Sequence, residues 1–408
     1  MLVLVAWALA SCVPPPIVPA PLVTAQPPSQ PPPAPVPATP PPPAVPAGPA
    51  KVALLVPLSG PNAALGQAIL NAAQLALFET GGDQLTLVPR DTKGTPSGAA
   101  AAANAVVGEG VGLILGPLLA GEVEAVKPIA HDANLNVIAF STVTDLAGGN
   151  TFLMGFLPRQ EVVREVAYAR QRGIGRFAAL VPETPYGHLM ADALRDAASS
   201  SGATVTRTVF FDPGTGDPSA AIARLLPAGA PNSPTADPSG PPSAAPVVPD
   251  FDALLLPEGG DQLASLARKL VAAGLDHKAT RLLGSGLWDV PDIGDEPALV
   301  GGWFAASPPD ARREFERRYR ATYGRDPPRL ASLGYDAAAL AAALARGEGG
   351  PPFSRQAILN PNGFTGVDGL FRFTPDGLVQ RSLAVLEVEP QGNVVVSPAA
   401  SSFQDLGY

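Results

Sequence analysis

The sequence predicts an α/β protein with two doubly wound layers, and three observations support this prediction. Short apolar runs alternate with helical patterns from Lys51 to the end of the chain. The runs are apolar throughout instead of at every second position, which is typical of parallel strands covered on both faces. The connecting loops are short, and a chain of 408 residues is long enough for two such sheets.

The strands are predicted from the apolar runs in chain order, at 52–58, 85–90, 111–117, 136–141, 176–182, 204–211, 252–257 and 280–285. The clearest helix between them has apolar residues at i, i+3, i+4 and i+7 from Leu263 to Val271 and ends at Gly274. A similar stripe runs from Leu65 to Ala76. These patterns place a helix after most of the strands, as a parallel sheet requires.

Two late helices, at 308–324 and 328–347, precede a β-rich end at 367–396. We place the break between the two sheets near 155–158. Since helices and strands both follow that break, we expect the chain to cross between the lobes more than once. In this architecture ligands bind at the carboxyl ends of the strands, in the crevice between the lobes.

Residues 1–50 contain no Lys, Arg, Asp or Glu. Residues 1–12 form an apolar run too short to span a bilayer, which indicates a signal peptide. The run ends in Leu-Ala-Ser-Cys, which resembles a bacterial lipobox and predicts lipidation at Cys12, although no basic residues precede it. The alternative is a plain secretory signal with a chance cysteine. Residues 13–50, rich in Pro, Ala and Val, predict an extended disordered tether, and 227–249 predict a disordered surface loop.

Composition excludes several classes of function. The net charge of −9 argues against a nucleic-acid surface, and a single cysteine excludes an internal disulfide. The histidines at 131, 188 and 277 are far apart, and no nucleophile motif or phosphate-binding loop is present. We therefore expect no enzyme activity, no metal and no cofactor.

Three segments carry a family resemblance: VALLVPLSGPNAALGQAILNAAQLAL (52–77), LILGPLLAGEVEAVKPIAHDANLNVIAFSTVTDLA (113–147) and FAALVPETPYGHLMADALRDAASSSGATV (177–205). In order and spacing they resemble the leucine/isoleucine/valine-type periplasmic solute-binding proteins. The resemblance implies an α/β fold of two Rossmann-like lobes, the periplasmic-binding-protein type 1 arrangement, around a central cleft that closes on ligand. The implied boundaries are 51–156 and 284–349 for lobe 1, and 157–283 and 350–408 for lobe 2.

Carrying the family's amino-acid site over gives three candidate ligand-binding residues. Ser141 and Thr142 follow the fourth predicted strand, and Tyr186 opens a helix of the second lobe. Other positions depart from the family pattern, at Leu65, Ala120, Gly259 and Gly286.

The carboxylate that pairs with the ligand ammonium in the family falls near Gly286, unless Asp261 or Glu258 replaces it after a shift of register. A buried ammonium without an anion costs several kcal/mol. These departures therefore argue against tight amino-acid binding in the usual mode.

The last third of the body is similar to a narrower group. The segments GSGLWDVPDI (284–293), GGWFAASPP (301–309), LGYDAAALAAAL (333–344) and 363–388 resemble the penicillin-binding-protein activator lipoproteins. That resemblance implies contact with a peptidoglycan synthase and not solute transport. The best-known members have a helical-repeat domain before this fold, whereas only the Pro-rich segment stands there in this chain.

Two hypotheses follow. The first is a periplasmic lipoprotein, anchored in the outer membrane through its lipid alone, that activates a peptidoglycan synthase by protein contact. The alternative is the substrate-binding component of an ABC importer, which would hold an amino acid of the branched-chain type in its cleft and dock on a permease. Binding to a synthase without any small ligand would support the first hypothesis, and ligand binding that depends on Ser141 and Thr142 would support the second.

Overall fold

A computed structural model describes residues 48–80, 84–226, 248–347 and 351–405. The predicted signal peptide with Cys12, the predicted tether up to residue 47 and residues 227–247 of the predicted loop 227–249 lie outside the described residues. The strands are β1 Ala50–Val56, β2 Leu85–Asp91, β3 Leu113–Leu115, β4 Asn136–Ala139, β5 Thr151–Leu153, β6 Arg176–Pro182, β7 Thr204–Phe211, β8 Ala253–Leu255, β9 Arg281–Leu283, β10 Trp303–Ala306, β11 Phe364–Gly366, β12 Gly369–Phe373, β13 Val379–Arg381, β14 Ala384–Glu387 and β15 Val394–Ser397. The helices are α1 Ala63–Thr80, α2 Pro96–Gly108, α3 Ala120–Asp132, α4 Pro158–Gln171, α5 Pro185–Ser200, α6 Ser219–Leu225, α7 Gly260–Ala272, α8 Pro309–Tyr323, α9 Ala331–Ala345 and α10 Arg355–Ile358.

The first lobe is built on a parallel sheet in the order β2-β1-β3-β4-β5. Residues Val52–Val56 of the central strand β1 are fully buried, as a strand covered on both faces requires. Helices α1 and α9 pack on one face, and α2 and α3 pack on the other. The predicted α/β class with doubly wound layers is confirmed.

The second lobe is built on a larger sheet in the order β15-β14-β10-β9-β8-β6-β7. Strands β6 to β10 run parallel, and β14 and β15 add an antiparallel edge. Helices α6 and α7 cover one face and α4 and α5 cover the other, which completes a second three-layer unit.

Within the described residues the chain passes between the two sheets three times, after β5, after β10 and after β13. Two assignments differ from the lobe boundaries expected from the sequence. Trp303–Ala306, expected in lobe 1, pairs with β9 and β14 of the second sheet. Phe371, expected in lobe 2, packs in the core of the first lobe. A short apolar run shows that a strand is buried, but it does not show which sheet the strand joins.

Helices α1 and α9 pack unusually closely because α9 is rich in alanine. Ala331, Ala337, Ala338 and Ala341 are all fully buried. At the closest point, a Cβ atom on Gly334 would lie 2.3 Å from the carbonyl oxygen of Ile69. Backbone carbonyls cannot move aside cheaply, so this crossing requires glycine at 334.

We expect Gly334→Ala to lower the free energy of unfolding by about 1–3 kcal/mol, because the added methyl overpacks the helix crossing. The matched control is Gly108→Ala on α2, where a Cβ atom would meet nothing within 4 Å. There alanine should be neutral or stabilise by up to about 1 kcal/mol through its higher helix propensity. Chemical denaturation measures both variants, and equal midpoints for the two would contradict this packing account.

Candidate functional site

A cavity of about 280 Å³ lies between the two lobes, at the carboxyl ends of their strands. The first lobe contributes Thr142 from the loop after β4 and Arg329 from the loop before α9. The second lobe contributes Glu161 from α4, Tyr186 from α5 and Gly286 from the loop after β9. The cavity therefore combines hydroxyl groups, a carboxyl group and a guanidinium.

The loop after β4 presents two of the predicted ligand-binding residues differently. Ser141 is buried, and its hydroxyl accepts a hydrogen bond of 3.2 Å from the backbone N–H of Val143. This bond shapes the turn. Thr142 is exposed at the tip of the turn and lines the cavity. The structure thus brings Thr142 and Tyr186 to one cavity, whereas Ser141 stabilises the loop through its hydrogen bond with Val143.

Tyr186 is placed by the first turn of α5. The helix starts at Pro185, and the hydroxyl of Thr184 caps it by accepting a 3.1 Å hydrogen bond from the N–H of Gly187. Burial raises the pKa of Tyr186, and the nearby carboxyl groups of Glu161 and Glu165 raise it further, while a contact with Ser285 opposes the shift. The phenol therefore stays protonated and can donate a hydrogen bond into the cavity.

Glu161 supplies the carboxyl group of the site. It lies in the first turn of α4, and its Oε2 accepts a 2.8 Å hydrogen bond from the backbone N–H of Gly286. Burial raises the pKa of Glu161 to about 7, and the Gly286 N–H and the charge of Arg329 limit the rise. A Cβ atom at position 286 would lie 2.7 Å from Glu161 Oε1, so the glycine makes room for this carboxyl group.

Glu161 brings a carboxyl group to the position at which the family pattern left none in the sequence. The family pattern places that carboxylate near Gly286, and the structure has a carboxyl group there, but it comes from Glu161 on a different helix. Of the two replacements considered, Asp261 is exposed at the start of α7, and Glu258 lies close enough to Tyr186 to affect its pKa. The sequence feature that could have indicated this carboxyl group is the position of Glu161 in the first turn of the helix that follows the break between the lobes.

On the first lobe, Arg329 lines the cavity, and its guanidinium already pairs with a carboxylate of the protein. Its Nη2 lies 2.8 Å from Oδ1 of the buried Asp368, and its guanidinium stacks on the Phe156 ring at 4.0 Å from the ring centre. Its Nε lies 3.8 Å from Oδ2 of Asp289, which belongs to the second lobe. Arg329 therefore adds positive potential to the cavity wall while its own charge is compensated.

An ion pair joins the two lobes at the edge of the cavity. Asp289 follows Trp288, which is buried in the core of the second lobe. Arg312 lies on α8, whose Phe315 is buried in the core of the first lobe. Both terminal nitrogens of the Arg312 guanidinium, Nη1 and Nη2, contact the Asp289 carboxylate, Nη2 at 2.8 Å, and the side chains are only 11% and 5% exposed. This bidentate geometry is the strong form of the arginine–carboxylate contact.

The described ranges also bear on metal sites and membrane-spanning helices. Between residues 48 and 405, leaving out 81–83, 227–247 and 348–350, no group of His, Cys, Asp and Glu side chains has the arrangement needed to hold a metal ion. In that part of the chain no helix is both long enough and apolar enough to cross a membrane.

Comparison with known proteins places these features in a family context. A family model described as periplasmic binding protein matches residues 49–393. The Leu/Ile/Val-binding protein BraC3 of Rhizobium johnstonii is 31% identical over 185 residues, which cover 43% of this chain and 50% of that protein. The chain thus spans about half the length of the curated relatives that it matches.

Solved structures share the fold at low sequence identity. An ABC transporter substrate-binding protein from Sphaerobacter thermophilus matches with a TM-score of 0.67 and 23% identity, over 86% of this chain and 97% of that one. The substrate-binding protein LivJ from Streptococcus pneumoniae, solved with isoleucine, matches with a TM-score of 0.59 and 20% identity, over 86% and 100% of the two chains.

We expect Arg312→Met to weaken the closed arrangement of the lobes, because it leaves Asp289 buried without its main partner. Breaking a buried ion pair in this way costs about 3–5 kcal/mol. Small-angle X-ray scattering of the ligand-free protein should show a larger radius of gyration. Arg313→Met is the matched control, since Arg313 is exposed and its ion pair among the described residues is with Asp310 on its own helix. A radius unchanged from the wild type in both variants would show that the ion pair does not hold the lobes together.

Glu161 should make stability depend on pH. Because its pKa is raised from 4.5 to about 7, the folded protein retains a proton in this window that the unfolded chain has lost. The free energy of unfolding therefore falls as pH rises from 4.5 to 7, by up to about 3 kcal/mol from this group. Glu161→Gln should lose less stability than the wild type between pH 5 and pH 8 in denaturation experiments. Glu124→Gln, an exposed change on α3, should follow the wild type, and the same slope in all three proteins would refute the assignment.

Proposed function

Since the chain belongs to the periplasmic binding protein family, we propose that it binds an amino acid in the cleft between its lobes and delivers it to an ABC permease. The observation that carries this proposal is the Glu161 carboxyl group, which lines the cavity opposite Thr142 and beside Tyr186. A carboxylate and hydroxyl donors on facing walls match the ammonium and carboxylate ends of an α-amino acid.

The carboxyl group and the hydroxyl groups of the cavity contribute different parts of recognition. The ligand ammonium would pair with Glu161, which has no cationic partner of its own among the ion pairs of the described residues. The ligand carboxylate would accept hydrogen bonds from the hydroxyls of Thr142 and Tyr186, with the potential of Arg329 behind them. Phe156 and Leu330 provide apolar surface for the ligand side chain. A cavity of about 280 Å³ has room for one amino acid and not for a large solute.

This proposal reverses the order of the two hypotheses drawn from the sequence. Amino-acid binding was disfavoured because the family carboxylate was missing from the sequence, and Glu161 now offers a carboxyl group beside Gly286. The relative from Rhizobium johnstonii is named a Leu/Ile/Val-binding protein, which favours the transport alternative for this chain. None of the relatives or structures compared above is described as a synthase activator. The activator hypothesis therefore has only the sequence resemblance behind it.

We also propose that the protein works in the periplasm. A component that delivers solute to an ABC permease works in the periplasm, and a lipid at Cys12 would hold it there beside the membrane. This part rests on the lipobox-like residues 9–12 and on the family.

Ligand binding is tested by thermal unfolding of the chain against a panel of amino acids, followed by titration calorimetry. A ligand at 100 times its dissociation constant should stabilise the protein by about 2.7 kcal/mol. Glu161→Gln should weaken binding by 100-fold or more, because it removes the counter-ion of a buried ammonium. Thr142→Ala and Tyr186→Phe should each weaken it by roughly tenfold through one lost hydrogen bond.

Glu124→Gln on the outer surface of the first lobe serves as the control and should bind as the wild type does. No stabilisation by any amino acid would contradict the proposal, and binding to a purified peptidoglycan synthase would then favour the activator hypothesis. Binding that survives Glu161→Gln unchanged would contradict the site but not the function.

A further inference from the structure

The segment that follows β15 leads from the second lobe back to the first, and we call residues 398–405 the C-terminal strap. Near its start, Ala399 packs against the core of the second lobe. Four residues later, Phe403 contacts the small sheet of β11, β12 and β13. Phe371 of that sheet is buried in the core of the first lobe. The strap therefore adds a connection between the lobes to the three crossovers of the chain.

Phe403 has a closely fitted position on the first lobe. A Cβ atom at Gly363 would lie 2.5 Å from ring carbon Cε2 of Phe403, so the ring packs directly on the glycine backbone. The Arg372 guanidinium lies 4.3 Å from the centre of the same ring, in a cation–π contact. After the ring, the Ser402 hydroxyl donates a 2.6 Å hydrogen bond to Oδ2 of Asp405, which closes a turn. These contacts hold the aromatic side chain in one place.

The start of the strap is bound to the third crossover, which consists of Ser382 and Leu383 between β13 and β14. The Ser382 hydroxyl donates a 2.8 Å hydrogen bond to the carbonyl of Ala400. Arg164 on α4 donates from Nε to the Leu383 carbonyl at 2.9 Å and from Nη2 to the Ser397 hydroxyl at 2.6 Å. The crossover is thus tied to both the strap and the end of β15.

The strap has little slack. Ala399 and Phe403 are four residues apart, so even a fully extended chain separates these two attachments by at most about 14 Å. Closure of two lobes around a ligand takes place through a few hinge residues, and crossovers are such positions. A movement that carries the attachments further apart must first lift Phe403 from Gly363.

Resting on the proposed ligand-binding cleft, we infer that the C-terminal strap restrains the hinge and thereby sets the affinity of the cleft for its ligand. The link to the cleft is Leu383, which lines the cavity and directly follows the residue that holds Ala400. The strap itself contributes no residue to the cavity lining. By favouring the arrangement in which the cavity is formed, it reduces the fraction of the protein that cannot bind.

Hydrogen exchange of the full chain without ligand tests the restraint. The N–H groups of Arg381 and Ser382 are hydrogen-bonded at the crossover, and in Phe403→Ala they should exchange roughly tenfold faster. Amides of the central strand β6 should keep the wild-type rate, which separates loosening of the hinge from a general loss of stability. Phe78→Ala is the matched control, because it removes the same side chain from α1, where it is 87% exposed. It should leave the rates at the crossover unchanged.

A second variant and a second measurement complete the test. Ser382→Ala removes the hydrogen bond to Ala400 without touching the aromatic ring, and it should also speed exchange at Arg381. Titration calorimetry with leucine as the probe should show binding weakened by roughly fivefold in Phe403→Ala and unchanged in Phe78→Ala.

The outcomes separate this inference from the proposed function. Wild-type exchange at the crossover in both Phe403→Ala and Ser382→Ala, with folding checked by circular dichroism, would overturn the restraint. Faster exchange with unchanged affinity for leucine would overturn the link between the strap and binding. If neither leucine nor any other amino acid binds the wild type, the proposed function and the link to affinity fail together, whereas the exchange rates still decide whether the strap restrains the hinge.

Discussion

The ion pair between Asp289 and Arg312 is the interaction on which the geometry of the cleft depends. It joins the loop after β9 in the second lobe to helix α8 of the first, and both side chains are nearly buried. The same loop carries Gly286, whose N–H positions Glu161. A bidentate contact at Asp289 therefore determines how far the acidic wall stands from the loop that carries Thr142. Because such a pair is costly to break, it favours this arrangement of the lobes over a more open one.

A second set of buried charged side chains attaches the turn between β11 and β12 to helix α9 of the first lobe. The carboxyl group of Asp336 on α9 accepts hydrogen bonds from the backbone N–H groups of Val367 and Asp368, at 2.7 and 3.3 Å. Burial, with Asp368 nearby, raises the pKa of Asp336 to about 7. Asp368 in turn pairs with Arg329. The turn between β11 and β12 is thus held to α9 by polar contacts, which explains why this segment stays with the first lobe although β14 returns to the second.

The sequence allowed the fold to be predicted more fully than the site. Continuous apolar runs signal buried parallel strands, and strands such as Arg176–Pro182 coincide with their runs. The sequence pattern does not show which neighbouring strands a strand pairs with. For this reason Trp303–Ala306 was expected in lobe 1, whereas it pairs with strands of the second sheet. At the site, Ser141, Thr142 and Tyr186 were predicted because the family resemblance aligns them with ligand-binding positions. Glu161 was missed because its carboxyl group reaches Gly286 from a helix that is 125 residues away in sequence.

The contact between Glu161 and Gly286 shows why a binding site should not be considered lost from aligned positions alone. A ligand responds to where a carboxylate oxygen lies, and a residue on another element can bring an oxygen to the same place. Aligned positions at which the family residue is absent therefore do not show that the function is absent. In this protein two tasks are also carried by different groups. Asp289 and Arg312 join the two lobes, whereas Glu161 presents a carboxyl group to the cavity. A ligand with a positive charge would gain affinity by pairing with Glu161, and it would need to contribute less to holding the lobes together than in a cleft without such an ion pair.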